Sequence, residues 1–230
     1  MKSYRIIGLV GLIVLSFKAL DGAQILPTLD EQKKLTLQLE EDEVAIFGYG
    51  SLMLEETLHC ADQDVCDSRP YVMARLNEFK RSWSVQYPND ENFQAWDGLL
   101  FKPQTKTCLN IERAQDSKVN GMLFVCSKAE LESYDEREFP YDRIEISDLL
   151  EDVAVVGGKA YAYTAKPAYF RPSEELSSDE TVIDSYYVFI IEYALKRLGK
   201  DFEEEYYKST QPVPDHLVFD YYWNDYSNKE

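Results

Sequence analysis

The apolar run Val44-Ala45-Ile46-Phe47 passes directly into Gly48-Tyr49-Gly50-Ser51-Leu52, and this junction restricts the fold more tightly than any other stretch of the chain. Four consecutive apolar residues, β-branched and aromatic among them, predict a strand. Two glycines then end it, because a backbone without Cβ atoms turns sharply and approaches a neighbour or a ligand closely. A strand that finishes this way presents backbone N–H groups in a concavity suited to a carboxylate or a developing oxyanion. Tyr49, Gly50, Ser51 and Leu52 are therefore the first candidate substrate-binding residues.

Further short runs with alternating or β-rich character predict strands over 71–79, 82–87, 98–102, 109–112 and 119–126. The character changes at Ser127-Lys128-Ala129-Glu130, a capping box that predicts a helix from there to about residue 136, carrying Leu131 and Tyr134. Pro140 disfavours its continuation. Strands are expected again at 144–147, 153–156 and 160–164, with Gly157-Gly158 as a turn. A second helix is predicted over 179–198. It begins near Ser177-Ser178, stops at Gly199, and has an aromatic stripe of Tyr186, Phe189 and Tyr193 assigned to the core.

A chain of 230 residues with 45% hydrophobic and 13% aromatic side chains has enough apolar surface for one domain, placed at 44–210. A charged leader or short helix outside the core is expected at 24–43, and an acidic, aromatic tail at 211–230. The 42 acidic against 24 basic residues give a net charge of −18, which repels phosphate backbones and anionic membranes and argues against both as partners. Lys2 and Arg5 followed by an apolar run over 6–17 read as a secretory signal. Cleavage after Ala23 would leave a secreted or secretory-lumen protein with no membrane contact, and an uncleaved amphipathic anchor is the alternative. Cys60, Cys66, Cys108 and Cys126 allow three pairings in an exported chain. Cys60–Cys66 is the local choice, and Cys108–Cys126 follows if 108–114 and 119–126 form a hairpin; free thiols are the alternative.

The second candidate site is Tyr134-Asp135-Glu136-Arg137-Glu138-Phe139-Pro140-Tyr141, where the capped helix ends. Asp135 and Glu138 are i, i+3 neighbours, so one carboxylate can turn to an interior cavity while others remain wet. Beside Phe139 and Tyr141, the Glu138 carboxyl would lose solvent and gain proton affinity, as a general base working near neutral pH requires. The competing reading is a solvated charge run. Other chemistries fit less well. Ser51 lacks the flanking glycines of a nucleophile elbow, the dinucleotide fingerprint fails at Met53, and His59, Cys60 and Cys66 lack zinc spacing. Tyr161 and Tyr163 alternate on a strand, where either could line a pocket or pack in the core. Arg137 binds a substrate carboxylate or pairs with Glu136 or Asp135.

Taken together, these two features resemble the γ-glutamylcyclotransferase family, including its ChaC-like branch. Phe47-Gly48-Tyr49-Gly50-Ser51-Leu52 is similar to the family's strand-to-loop motif, Asn120-Gly121-Met122-Leu123-Phe124 to its later strand, and Tyr134-Asp135-Glu136-Arg137-Glu138 to the element that carries its glutamate. Phe79-Lys80-Arg81-Ser82-Trp83 is similar to a further family segment. Tyrosine stands at 134 where the family has leucine, and Glu78 stands where it has glycine. The resemblance implies an α+β fold, a small mixed, curved or barrel-like β-sheet with surrounding helices. It also implies a cyclising acyl transfer that turns a γ-glutamyl peptide or amine into 5-oxoproline and the free amine. Glu138 would be the general acid and base, loop 49–52 the binding loop, and no metal or cofactor would be needed. The substrate would be a small γ-glutamyl molecule, glutathione or its breakdown products among them. A catalytically silent protein that holds a γ-glutamyl ligand is the alternative.

Overall fold

The computed structural model describes residues 24–26, 34–54, 71–95, 97–172 and 180–222. The expected signal segment, His59 and the expected Cys60–Cys66 pair lie outside the described residues. In chain order the strands are β1 (Gln24–Leu26), β2 (Leu35–Gln38), β3 (Glu43–Gly48), β4 (Tyr71–Pro88), β5 (Phe93–Gln94), β6 (Leu100–Phe101) and β7 (Thr105–Ser127). Helix α1 (Lys128–Arg137) is followed by β8 (Tyr141–Glu145), β9 (Val153–Val156), β10 (Ala160–Ala165) and β11 (Thr181–Asp184). Helices α2 (Ser185–Leu198) and α3 (Lys200–Lys208) precede β12 (Val218–Tyr221).

The antiparallel pair β4 and β7 forms the spine of a nine-stranded mixed sheet. On the side of β7 away from β4, its end near Ser127 pairs with β3, and its start at Thr105 pairs in parallel with β11. Both long strands bend where the register shifts: Glu78, at φ 65°, faces an excursion on β7 that contains Asp116 at φ 58°. The runs 109–112 and 119–126 are therefore two halves of one strand rather than the arms of a hairpin, because each half finds its partner on β4. This arrangement also removes the expected Cys108–Cys126 bridge. Cys108 lies opposite Val85 and Cys126 opposite Val44, so the two are not bridged to each other.

The leader forms strands, not a helix outside the core. β2 joins β1 and β9 in a separate three-stranded sheet, and Leu37 and Leu39 are buried. Part of the expected tail is likewise structured: β12 pairs with β11 and β5, and Leu217 is fully buried. Helix α1 starts at Ser127 with both halves of the capping box formed. α2 starts later than expected, with Asp184 as its cap after the strand β11, and ends at Gly199 with φ 98°. Its buried face is Ile191, Ala194 and Leu195, with Tyr187 packed against the core, so Tyr186, Phe189 and Tyr193 face outward instead of inward. α3 was not anticipated from the sequence; its buried residues are Phe202 and Tyr206. The resulting class is α+β, a mixed sheet with three helices among the described residues.

Candidate active site

Glu138 occupies the C-terminal cap of α1. Its N–H donates to the Tyr134 carbonyl at 2.8 Å, and its own carbonyl accepts from the Tyr141 N–H at 2.8 Å, turning the chain into β8. The helix end is pinned from the sheet. Asp135 accepts a hydrogen bond from the Tyr163 hydroxyl at 2.9 Å on one oxygen and from Arg143 on the other. Asp135 and Glu138 thus divide the roles open to them in the sequence: the first anchors the helix, and the second turns toward the protein, its side chain 18% exposed. Burial raises the Glu138 carboxyl above its ordinary value. Arg137, whose Nε donates to Glu138 Oε1 at 3.3 Å, pulls the other way without reversing the shift.

The 49–52 loop leaves the end of β3, which is held between β7 and β10. A Cβ on Gly48 would lie 2.8 Å from the Leu52 backbone, so the fold-back of the chain excludes any side chain there. At Gly50 a Cβ would stand 2.8 Å from the Tyr187 hydroxyl. Beyond it, Ser51–Met53 form a 3-10 turn closed by Met53 N–H to the Gly50 carbonyl at 3.0 Å. The leading N–H groups of such a turn have no partner within it. Tyr49 is fixed at both ends: its hydroxyl donates to the Tyr163 carbonyl at 2.8 Å, and its carbonyl accepts from the Tyr206 hydroxyl at 3.2 Å.

The structure brings the two candidate sites into one neighbourhood. The phenols of Tyr49, Tyr141 and Tyr187 are all held above their ordinary values, first by burial and then, among other groups, by the negative charge of Glu138. Burial likewise pushes the Cys108 thiol up to about 12, with Glu138 contributing. Tyr141 is itself oriented by donating to the Leu109 carbonyl at 2.8 Å. Phe139, beside Glu138, is partly exposed and packs edge-on against Tyr87 and Tyr169 at 5.9 and 5.8 Å. Tyr163 is a core residue with a polar task, its hydroxyl on Asp135, and Tyr161 lies under the Arg143 guanidinium.

Arg81 enters from the other side. It is 2% exposed, its guanidinium lies 3.8 Å from the Tyr206 ring centroid, and it donates to the Thr210 hydroxyl at 2.6 Å and to the Asn120 carbonyl. Its Nε has no hydrogen-bond partner and no carboxylate of the described residues pairs with it. A buried guanidinium satisfied only by neutral acceptors is costly. Its charge reaches Tyr49, opposing that of Glu138. A separate cavity of about 660 Å³, lined by Lys80, Arg81, Lys118, Glu205 and Lys208 among others, includes neither Glu138 nor the 49–52 loop.

Tyr187, Cys108 and Arg81 were not singled out as site residues from the sequence. Tyr187 directly follows Tyr186, and only the phase of α2 separates the inward ring from the outward one. Arg81 could have been found in the segment 79–83, but nothing in a sequence marks a cation as buried and unpaired. Among the described residues no group of three or more His, Cys, Asp or Glu side chains could hold a metal ion, and no helix is long and apolar enough to cross a membrane.

No protein-family model matches the chain, and no curated protein matches it. Among solved structures the chain is similar to a γ-glutamyl cyclotransferase at 19% identity and a TM-score of 0.49, over 75% of this chain and 90% of that one. It is also similar to an uncharacterized human protein at 21% identity and a TM-score of 0.47, over 76% and 91% of the two chains. A third is YkqA from Bacillus subtilis, at 14% identity and a TM-score of 0.44, over 73% and 54%.

Proposed function

We propose that this protein is a cyclotransferase that converts small γ-glutamyl peptides or amines to 5-oxoproline. The observation that carries the reading is the half-buried Glu138 carboxyl, raised in proton affinity and electrostatically in reach of Tyr49 at the start of the glycine-bounded loop. Glu138 takes a proton from the substrate's α-ammonium. The freed amine attacks the γ-carbonyl carbon of the same molecule, forming the ring C–N bond. Backbone N–H groups of the 49–52 loop receive the oxygen as it becomes negative. The old γ-amide C–N bond then breaks, Glu138 returns the proton to the departing nitrogen, and no water is consumed. Because nucleophile and electrophile belong to one molecule, correct orientation is worth about 7–11 kcal/mol of barrier. The Arg81 charge, which reaches Tyr49 and opposes that of Glu138 there, is the cation of this neighbourhood that a substrate α-carboxylate would engage.

The test is mass-spectrometric detection of 5-oxoproline released by the purified protein from a panel of γ-glutamyl compounds, with Glu138→Gln as control. Release by the native protein and its loss in the variant are expected; equal release by both removes the mechanism. The Arg137 ion pair favours a second reading, a ligand-holding protein of the same fold in which Arg137 keeps the carboxylate engaged. That reading requires binding of γ-glutamyl compounds with no 5-oxoproline formed.

A further inference from the structure

The outward face of α2 carries a ladder of stacked rings. Tyr186, Phe189 and Tyr193 are 64%, 56% and 40% exposed, and their rings stack at 6.1 Å and 6.0 Å with interplanar angles of 23° and 29°. Arg197 continues the line, its guanidinium 5.9 Å from the Tyr193 ring centroid. The spacing of three, four and four residues keeps these side chains on one stripe along a helix about 21 Å long. The core-facing residues of α2 lie on the opposite side, so the ladder supports nothing inside the fold. Three large rings exposed side by side exceed the scattered apolar residues expected on a soluble surface.

We propose that this face is the contact between two copies of the chain, packed α2 against α2 in antiparallel fashion about a two-fold axis near Phe189. The polar residues flanking the rings argue for a second copy. The last turn of the helix is basic, with exposed Lys196 and Arg197, while Lys200 just beyond it is paired with Glu204 at 3.5 Å. The N-terminal end is acidic, with the cap Asp184, Asp220 hydrogen-bonded to Ser185, and Glu180 immediately before the strand. An antiparallel pair sets the basic end of each copy over the acidic end of the other and opposes the two helix dipoles. In the same register Tyr186 meets Tyr193 of the second copy, and Phe189 meets itself.

The size of the contact sets its strength. Half-exposed rings of this kind offer on the order of 300 Å² per copy, so even with flanking contacts the interface falls below the roughly 1,200 Å² of a stable complex. The net charge of −18 on each copy further opposes association, and salt confines that repulsion to about 8 Å at physiological ionic strength. The dimer is therefore weak and reversible. Its two copies meet on the outer side of the helix whose inner side bears Tyr187, so it forms independently of the proposed reaction.

Sedimentation of the purified protein over a wide concentration range, at physiological and at low salt, tests this. Native protein is expected to pass reversibly from monomer to dimer at both salt concentrations. Phe189→Ser should weaken the dimer ~10-fold or more, which is about 1.4 kcal/mol, while far-UV circular dichroism remains native. Arg197→Glu should weaken it as well. A native protein that stays monomeric at every concentration overturns the proposal, whether the ladder is then covered by this chain or by a different protein. A dimer unaffected by both substitutions overturns it equally. Neither substitution touches Glu138 or loop 49–52, so 5-oxoproline release reports separately on the catalytic reading.

Discussion

A single proton equilibrium at Glu138 connects stability and function. Burial makes the native state hold this proton more tightly than the unfolded chain does. Over the pH range between the ordinary carboxyl value and the raised one, the folded form carries the proton and the unfolded form has lost it. Stability from this group therefore declines as pH rises through that range, and above it the ionised side chain is a net cost. Glu138→Gln should consequently melt no lower than the native protein at pH 7 and lose any advantage below pH 4.5, while 5-oxoproline release disappears. Calorimetry at the two pH values and a product assay check the two halves independently. Gly50 offers a second residue-scale test. Gly50→Ala places a methyl group 2.8 Å from the Tyr187 hydroxyl, an overpacking that should cost about 1–3 kcal/mol and most of the activity. Adding Tyr187→Phe removes the clashing oxygen and should restore part of both, a non-additivity that thermal melts of the single and double variants would reveal. The Cys108 thiol, protonated up to about 12, should resist alkylation in the native protein, and peptide mapping without reduction should show neither Cys108 nor Cys126 cross-linked to the other.

At the scale of elements, local chemistry was readable wherever it was self-contained. The capping box at Ser127 forms as its residues require, and Gly199 stops α2 with a positive φ that few other residues adopt. Ser127→Ala should lower stability by about 0.5–2 kcal/mol, measured by urea unfolding. Because α1 delivers Glu138 at its far end, the same change should also reduce kcat, with a smaller effect than Glu138→Gln. Patterns that depend on a partner were misread. The halves of β7 have the alternation and the polar gap of a hairpin, and only the presence of β4 alongside both halves keeps them as one strand. In α2 rings occur on both faces, so periodicity alone could not choose which side is buried; the choice fell to Tyr187, Ile191, Ala194 and Leu195 because they meet the sheet.

For the whole molecule, the segments at the two ends of the expected domain belong to its architecture. Leu37 on β2 is 1% exposed in the core, so Leu37→Ala should cost about 2–5 kcal/mol, whereas a truly peripheral leader would tolerate it. Thermal melting decides between the two. The partly exposed Arg75 cluster reinforces the same closure: its guanidinium bonds Glu205 on α3 and Asp152 before β9, joining three distant parts of the chain. The amino-acid order by itself determined the α+β class, the glycine-bounded loop after β3, the capped helix and the carboxylate at its end. Each of these is set by interactions within a few residues: steric freedom at glycine, a side chain reaching its own backbone, apolar alternation along a strand. Tertiary structure alone decided that Glu138 loses solvent beside Tyr49, that Arg81 is buried without a counter-charge, and which face of α2 meets water. Those properties are differences in solvation and field created by groups brought together from remote positions, and no local pattern encodes them.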